Sequence, residues 1–109
     1  MSWMESVTLE LQRAAEAERS GNEGRARTSA RRAVGFAITE MERRFPEKRY
    51  GSDFMTQLRS LARDPQIAQS VREAADRLQA RLSPGFESLS KDPIADANII
   101  IRFVAEQLG

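Results

Sequence analysis

The chain contains no cysteine and no histidine. The first absence excludes disulfides, thiolate zinc sites and cysteine nucleophiles. The second removes imidazole, the usual proton shuttle near neutral pH and the commonest metal ligand. Aromatic residues are scarce, at 6%, and Val and Ile are thin outside the run Ile99-Ile100-Ile101, so little in the composition favours strands. No apolar run approaches the roughly 20 residues that a membrane span requires. No basic start followed by an apolar stretch marks a secretory signal. The expectation is a soluble, cytoplasmic protein that engages no membrane. Net charge is only +1, so no global field steers the chain toward nucleic acid or lipid.

What the chain does have is helix-forming side chains: Ala, Arg, Glu, Leu and Gln dominate. Its 109 residues suit one domain, 1–109, with a single small core. These features predict an all-α domain, and the apolar periodicity divides it into about five helices in an up-and-down bundle. A first helix starts after Ser2 or Ser6 and runs to about Arg19, with Met4, Val7, Leu11, Ala14 and Ala15 on one stripe and Glu5, Glu10, Glu16 and Glu18 mostly off it. Ser20-Gly21-Asn22 ends it, and Asn22 caps the next helix. This second helix runs from about Glu23 to Phe45, stopped by Pro46. Its stripe of Ala26, Ala30, Ala33, Val34, Ala37 and Met41 is the most regular in the chain, and its small residues imply close approach by a neighbouring helix. Gly35 costs about 1 kcal/mol relative to Ala inside a helix, which predicts a tight contact there.

After the loop 46–53, Ser52 or Asp53 caps a short helix holding Phe54, Leu58, Leu61 and Ala62. Asp64-Pro65 reads as a cap-plus-proline helix start, with Ile67, Val71, Ala74, Ala75, Leu78 and Leu82 on the buried face. Ser83-Pro84-Gly85 closes that helix, and Phe86 and Leu89 are expected to pin the linker to the bundle. Asp92-Pro93 repeats the start signal for a last helix with Ile94, Ala97, Ile101, Val104 and Leu108 on one stripe. Ile99, Ile100 and Phe103 widen its apolar arc.

Charge is unevenly distributed. Residues 25–49 carry eight basic and three acidic side chains, net +5. At about 100° per residue, Arg25, Arg32 and Arg43 fall on the side of the second helix away from its alanine stripe, and Arg27 and Arg31 flank it. Three readings are open: a solvated face whose arginines pair with glutamates of the first helix, an anion- or RNA-contacting face, or a protein contact. The candidate anion or RNA face comprises Arg25, Arg32, Arg43, Lys48, Arg49 and Tyr50. Phe36 lies on the same side of the helix, which implies that another helix or another subunit covers it. Trp3, Phe36, Ile100 and Phe103 are the candidate dimer surface, because one small core hides only about one face of the last helix and a twofold dimer uses the same patch twice. Asp92, Asp96 and Glu106 are too scattered for a metal site. No phosphate-loop, zinc-protease or nucleophile-elbow motif is present. No catalytic, cofactor-binding or metal-ligating residue is assigned, and no cofactor is expected.

Three segments, "LELQRAAEAERSGN", "ARTSARRAVGFAI" and the closing "DPIADANIIIRFVAEQL", together resemble the HEPN superfamily (higher eukaryotes and prokaryotes nucleotide-binding domains). The resemblance covers most of the chain and rests on helix rhythm. It implies a dimeric helical bundle. Many members are metal-independent ribonucleases, or toxins beside a small nucleotidyltransferase partner. Their catalytic signature, an arginine closely followed by a histidine at a helix start, has no match here, so the resemblance implies a divergent or non-catalytic member. The resulting expectation is a non-catalytic, HEPN-like binding module. It is a homodimer whose ligand is RNA, a nucleotide, or a protein such as a nucleotidyltransferase-type partner. A plain protein-interaction module without nucleic acid and a divergent ribonuclease are the alternatives.

Overall fold

Four helix starts are set by a single side chain each. Ser2, Asn22, Asp53 and Asp92 accept hydrogen bonds from the backbone N–H groups of Glu5, Arg25, Thr56 and Ala95 at 2.9–3.1 Å, satisfying donors that the first turn of a helix leaves unpaired. A computed structural model describes residues 2–80, 85 and 89–109. Among these it forms five helices and no strand: α1 (Trp3–Arg19), α2 (Glu23–Arg44), α3 (Phe54–Arg63), α4 (Gln69–Gln79) and α5 (Pro93–Leu108). The bundle measures 38 × 31 × 22 Å. Its short dimension is two helix diameters of about 10–12 Å each, so the helices lie in two layers.

α2 is the axis of the bundle and packs against each of the other four helices. α1 lies along it, α5 lies on another side, and α3 and α4 complete the second layer. The reason is in the α2 sequence. Ala26, Ala30, Ala33, Val34, Ala37 and Met41 are all buried, and short side chains there let neighbouring backbones come close. Gly35 is the extreme case. A Cβ built on it would overlap the ring of Phe54 at the start of α3. Phe36, beside it, meets the same ring edge-on, with centroids 5.9 Å apart. The side of α2 bearing Phe36 is thus covered by α3 within the one chain.

The structure corrects several sequence expectations. Glu10 is buried and Met4 is exposed: the buried positions of α1 are Val7, Glu10, Ala14 and Ala17, while Leu11 of the expected stripe packs partly buried against the core. Asp64 does not start α4. It is the C-terminal cap of α3, and its carboxylate accepts from the Gln66 backbone N–H at 2.9 Å. Asp-Pro here makes a turn of the kind short polar side chains favour, Ile67 anchors that turn in the core, and α4 begins only at Gln69, without a side-chain cap. Leu89 is 57% exposed and does not pin the linker; Phe86, expected to pin it too, and Leu82, expected on the buried face of the fourth helix, lie outside the described residues. Ile100 is fully buried in the core, so it cannot belong to a dimer surface. α5 hides its broad apolar arc by packing on α2 on one side and α4 on the other. Trp3 and Phe103 are partly buried against the same core. The large apolar side chains left exposed among the described residues are Met4, Ile99 and Leu89, single residues of the kind any surface carries.

Gly35→Ala should destabilise the domain. The helix gains about 1 kcal/mol in propensity, but the new methyl displaces Phe54, and overpacking of this kind costs about 1–3 kcal/mol or more. A thermal midpoint below wild type, partly restored when Phe54→Leu is added, is the expected outcome. A midpoint equal to or above wild type in the single variant would show that the Gly35–Phe54 contact is not close.

Candidate anion-binding cleft

The arginines divide by what their donors do. Arg31 is structural: its Nε donates to the Leu78 carbonyl at 2.6 Å and one terminal nitrogen to the Ala80 carbonyl at 3.4 Å. It closes the C-terminal end of α4, where carbonyls lack helical partners. Burial, then the nearby Arg27 charge, lower its pKa from the usual arginine value. Arg77 is structural too. It forks onto Asp96 with contacts of 2.7–3.2 Å, tying α4 to α5, and the Ser90 hydroxyl donates to the same carboxylate at 2.6 Å. The Asp96 hydrogen bond is the main reason the Arg77 pKa is raised. Asp96 thereby ties both α4 and the segment at Ser90 to α5. Among the described residues no group of three or more acidic side chains converges to hold a metal ion.

The six residues of the sequence-predicted anion face do not share one face. Arg43 and Arg44 both pair with Glu40 on their own helix, at 2.6 and 2.9 Å, and their hydrogen bonds hold the Glu40 carboxyl at about 2. The Arg49 Nε donates to the Pro46 carbonyl, and the Lys48 ammonium sits 5.8 Å from the Phe45 ring centre. Tyr50 is corrected outright. It is buried in the core cluster, its hydroxyl donates to Asp64 at 2.9 Å, and its backbone N–H donates to Glu42 at 2.8 Å. Its ring is committed to the core and offers no exposed platform for a base. Burial, then the hydrogen bond to Asp64, push the phenol up from 10.0 to about 12.

Arg25 and Arg32 behave differently. Both are exposed, and neither forms an ion pair with a described residue; the expected glutamate partners from α1 do not reach them. They line a cleft of 670 Å³ between α1 and α2. α1 and its C-terminal cap contribute Arg13, Glu16, Ala17 and Ser20, and α2 contributes Arg25, Thr28, Ser29 and Arg32, with Gly24 at the end. Each set has the spacing i, i+3, i+4, i+7, which places its members on one side of a helix. The cleft thus brings Arg13, absent from the sequence-predicted face, opposite Arg25 and Arg32. The signal was available as two facing polar stripes, but only the hairpin geometry shows that they meet.

The chemistry of the lining is polar and cationic. Of its three hydroxyls, Ser20 and Thr28 donate to carbonyls of their own helices, those of Glu16 and Gly24. Ser29 is only 5% exposed and its hydroxyl has no partner among the described residues, leaving a free donor at the base of the cleft. Arg25 and Arg32 are seven residues apart, about 10.5 Å along the helix, so they address different points of a long ligand. Arg43 lies a further eleven residues along α2, in a separate groove with Arg49. Lys48, Arg49 and Tyr50 border a third hollow beside Phe103.

Comparison of the chain with protein-family models, curated proteins and solved structures finds no match. Among the described residues no helix is long and apolar enough to cross a membrane.

The Tyr50 anchor gives a pH test. The folded pKa of about 12 lies above the ordinary value of 10.0, so the stabilisation is complete below pH 10 and is lost as pH rises through 12. Tyr50 is the single tyrosine of the chain, so the tyrosinate absorbance band reports it alone. The expected titration of folded protein is late, near pH 12 or coincident with alkaline unfolding. Tyr50→Phe should cost about 1 kcal/mol at neutral pH and flatten the stability loss between pH 10 and 12. A phenol that titrates normally in folded protein would mean the Asp64 contact is absent in solution.

Proposed function

We propose that this chain is a non-catalytic, HEPN-like helical binding module that takes the sugar–phosphate backbone of single-stranded RNA into the α1/α2 cleft. The observation that carries this is the pair Arg25 and Arg32: exposed, free of ion pairs, and lining the same cleft as Arg13. Arginine suits such a role, since its planar fork donates bidentately to phosphate oxygens. The free Ser29 hydroxyl adds a neutral donor at the floor. Arg25 and Arg32 stand about 10.5 Å apart along α2, so they meet different phosphates of one strand. No aromatic side chain lines the cleft, and bases have nothing to stack on there. Binding is then independent of sequence and dominated by salt.

A protein ligand fits this lining less well. Protein interfaces centre on apolar and aromatic anchors seated in pockets, and here the lining holds no large apolar or aromatic side chain. RNA uptake by this cleft needs only one protomer. The homodimer implied by the HEPN resemblance would have to draw on Trp3, Phe103 and the scattered Met4 and Ile99, since Phe36 meets Phe54 and Ile100 is interior.

The test is binding of a labelled single-stranded RNA oligonucleotide across a range of salt concentrations. Each phosphate contact on a single strand contributes a log–log slope of about −0.7. Arg25→Ala with Arg32→Ala should weaken binding and make the slope shallower by about 1.4. Thermal stability should stay within about 0.5 kcal/mol of wild type, because neither side chain is paired or buried. Wild-type slope and affinity in the double variant would remove the cleft from consideration. No binding by wild type at low salt would remove RNA, leaving a protein partner.

A further inference from the structure

We propose that the buried carboxylate of Glu10 is a built-in competitor for the anion cleft, which claims Arg13 and so sets the cleft's affinity and salt sensitivity. The proposal rests on the reading of the cleft as a phosphate-backbone site.

Glu10 is 4% exposed and lies on the side of α1 that faces α2. One of its oxygens, Oε2, meets an Arg13 terminal nitrogen at 3.4 Å, a long contact. The other, Oε1, is buried with no hydrogen-bond partner among the described residues. Burying a carboxylate is costly unless it is fully paired. Here one oxygen has a weak partner and the other has none. Folding gives no reason for this residue: an apolar side chain of similar size would pack against the alanine seam of α2 without the desolvation penalty. An unsatisfied buried group calls for another explanation.

Arg13 supplies it. It lies one turn along α1 from Glu10, its side chain is 55% exposed, and it lines the cleft with Arg25 and Arg32. One guanidinium therefore faces two claimants. If an incoming phosphate takes Arg13, Glu10 is left in the interior with both oxygens unpaired. If Arg13 stays, only Arg25 and Arg32 meet the ligand, and a buried negative charge lies within a helical turn of the cleft. Either way the carboxylate opposes the anion. Glu16 also borders the cleft, but it is exposed and its charge is screened by solvent and salt.

The experiment repeats the RNA salt series with Glu10→Gln, which keeps the shape and removes the charge. Glu106→Gln on α5 makes the same net-charge change away from the cleft. Glu10→Gln should tighten binding by about three- to tenfold, the range expected for one charge acting over a few ångströms at close to the dielectric of water, as an open cleft provides. It should also steepen the log–log slope by about 0.7, because Arg13 becomes a third phosphate contact. Glu106→Gln should do neither. A purely structural Glu10 would change the melting temperature and leave the slope alone. Unchanged or weaker binding by Glu10→Gln, or equal effects from both variants, overturns the proposal while leaving the cleft as an RNA site. Absence of wild-type binding removes the cleft as an RNA site and the proposal together. Should Glu10→Gln not fold, Arg13→Ala decides: it should weaken wild-type binding less than Arg25→Ala or Arg32→Ala, and an equal loss sinks the proposal.

Discussion

The bundle depends on how closely other helices approach α2. Ala30, Ala33 and Ala37 have no exposed surface, and neither have Val34 and Ile38. Burying a methyl gives a small hydrophobic gain per residue, but it allows backbones to close up and dispersion contacts to multiply. Gly35 extends the principle by admitting the Phe54 ring where a side chain would stand. Because α2 packs against α1, α3, α4 and α5 in turn, one helix of small residues organises the whole core. The cost is that α2 can leave only a narrow strip to solvent, and that strip is where its free arginines stand.

Charge in this protein is separated by geometry rather than by composition. Arg31 and Arg77 lie between helices and satisfy carbonyls or a carboxylate there. Arg43 and Arg44 are held by Glu40 on a single helix surface, a contact that exposed ion pairs make with little gain in stability. Glu42 gathers the backbone N–H groups of Tyr50 and Gly51 and the Gln57 amide, fixing the loop after α2 to the start of α3. With these groups committed, Arg25 and Arg32 are what the α1/α2 cleft can offer to a ligand. Arg13 stands between the two groups, exposed toward the cleft but claimed by Glu10.

Much of the fold was legible along the chain. Ser2, Asn22, Asp53 and Asp92 cap the helices they precede, since capping involves one side chain and the next turn of backbone. The alanine stripe of α2 and the contact at Gly35 were readable for a related reason: residue size limits what can stand beside a helix, whichever neighbour it is. Asp64-Pro65 misled because an aspartate bonds to the next N–H groups equally well in a turn and in a helix start. The choice fell to Ile67, whose burial holds the segment as a turn.

The sequence by itself determined the helices, most of their ends and the small-residue face of α2, because these depend on local bonding and on side-chain volume. Tertiary structure decided which residues within a stripe are inside. α1 presents Val7, Glu10, Ala14 and Ala17 to α2, a rotation set by the shape of the alanine seam and not by the hydrophobicity of α1 alone. It also decided which charges are free. Pairing depends on distances across helices: Arg31 finds the end of α4, Arg77 finds Asp96, Tyr50 is drawn inside by Asp64 and Glu42, and Arg25 and Arg32 find no ion-pair partner among the described residues. The cleft that joins them to Arg13 exists only once the α1–α2 hairpin has closed, because its two polar stripes are separate in sequence and meet through packing.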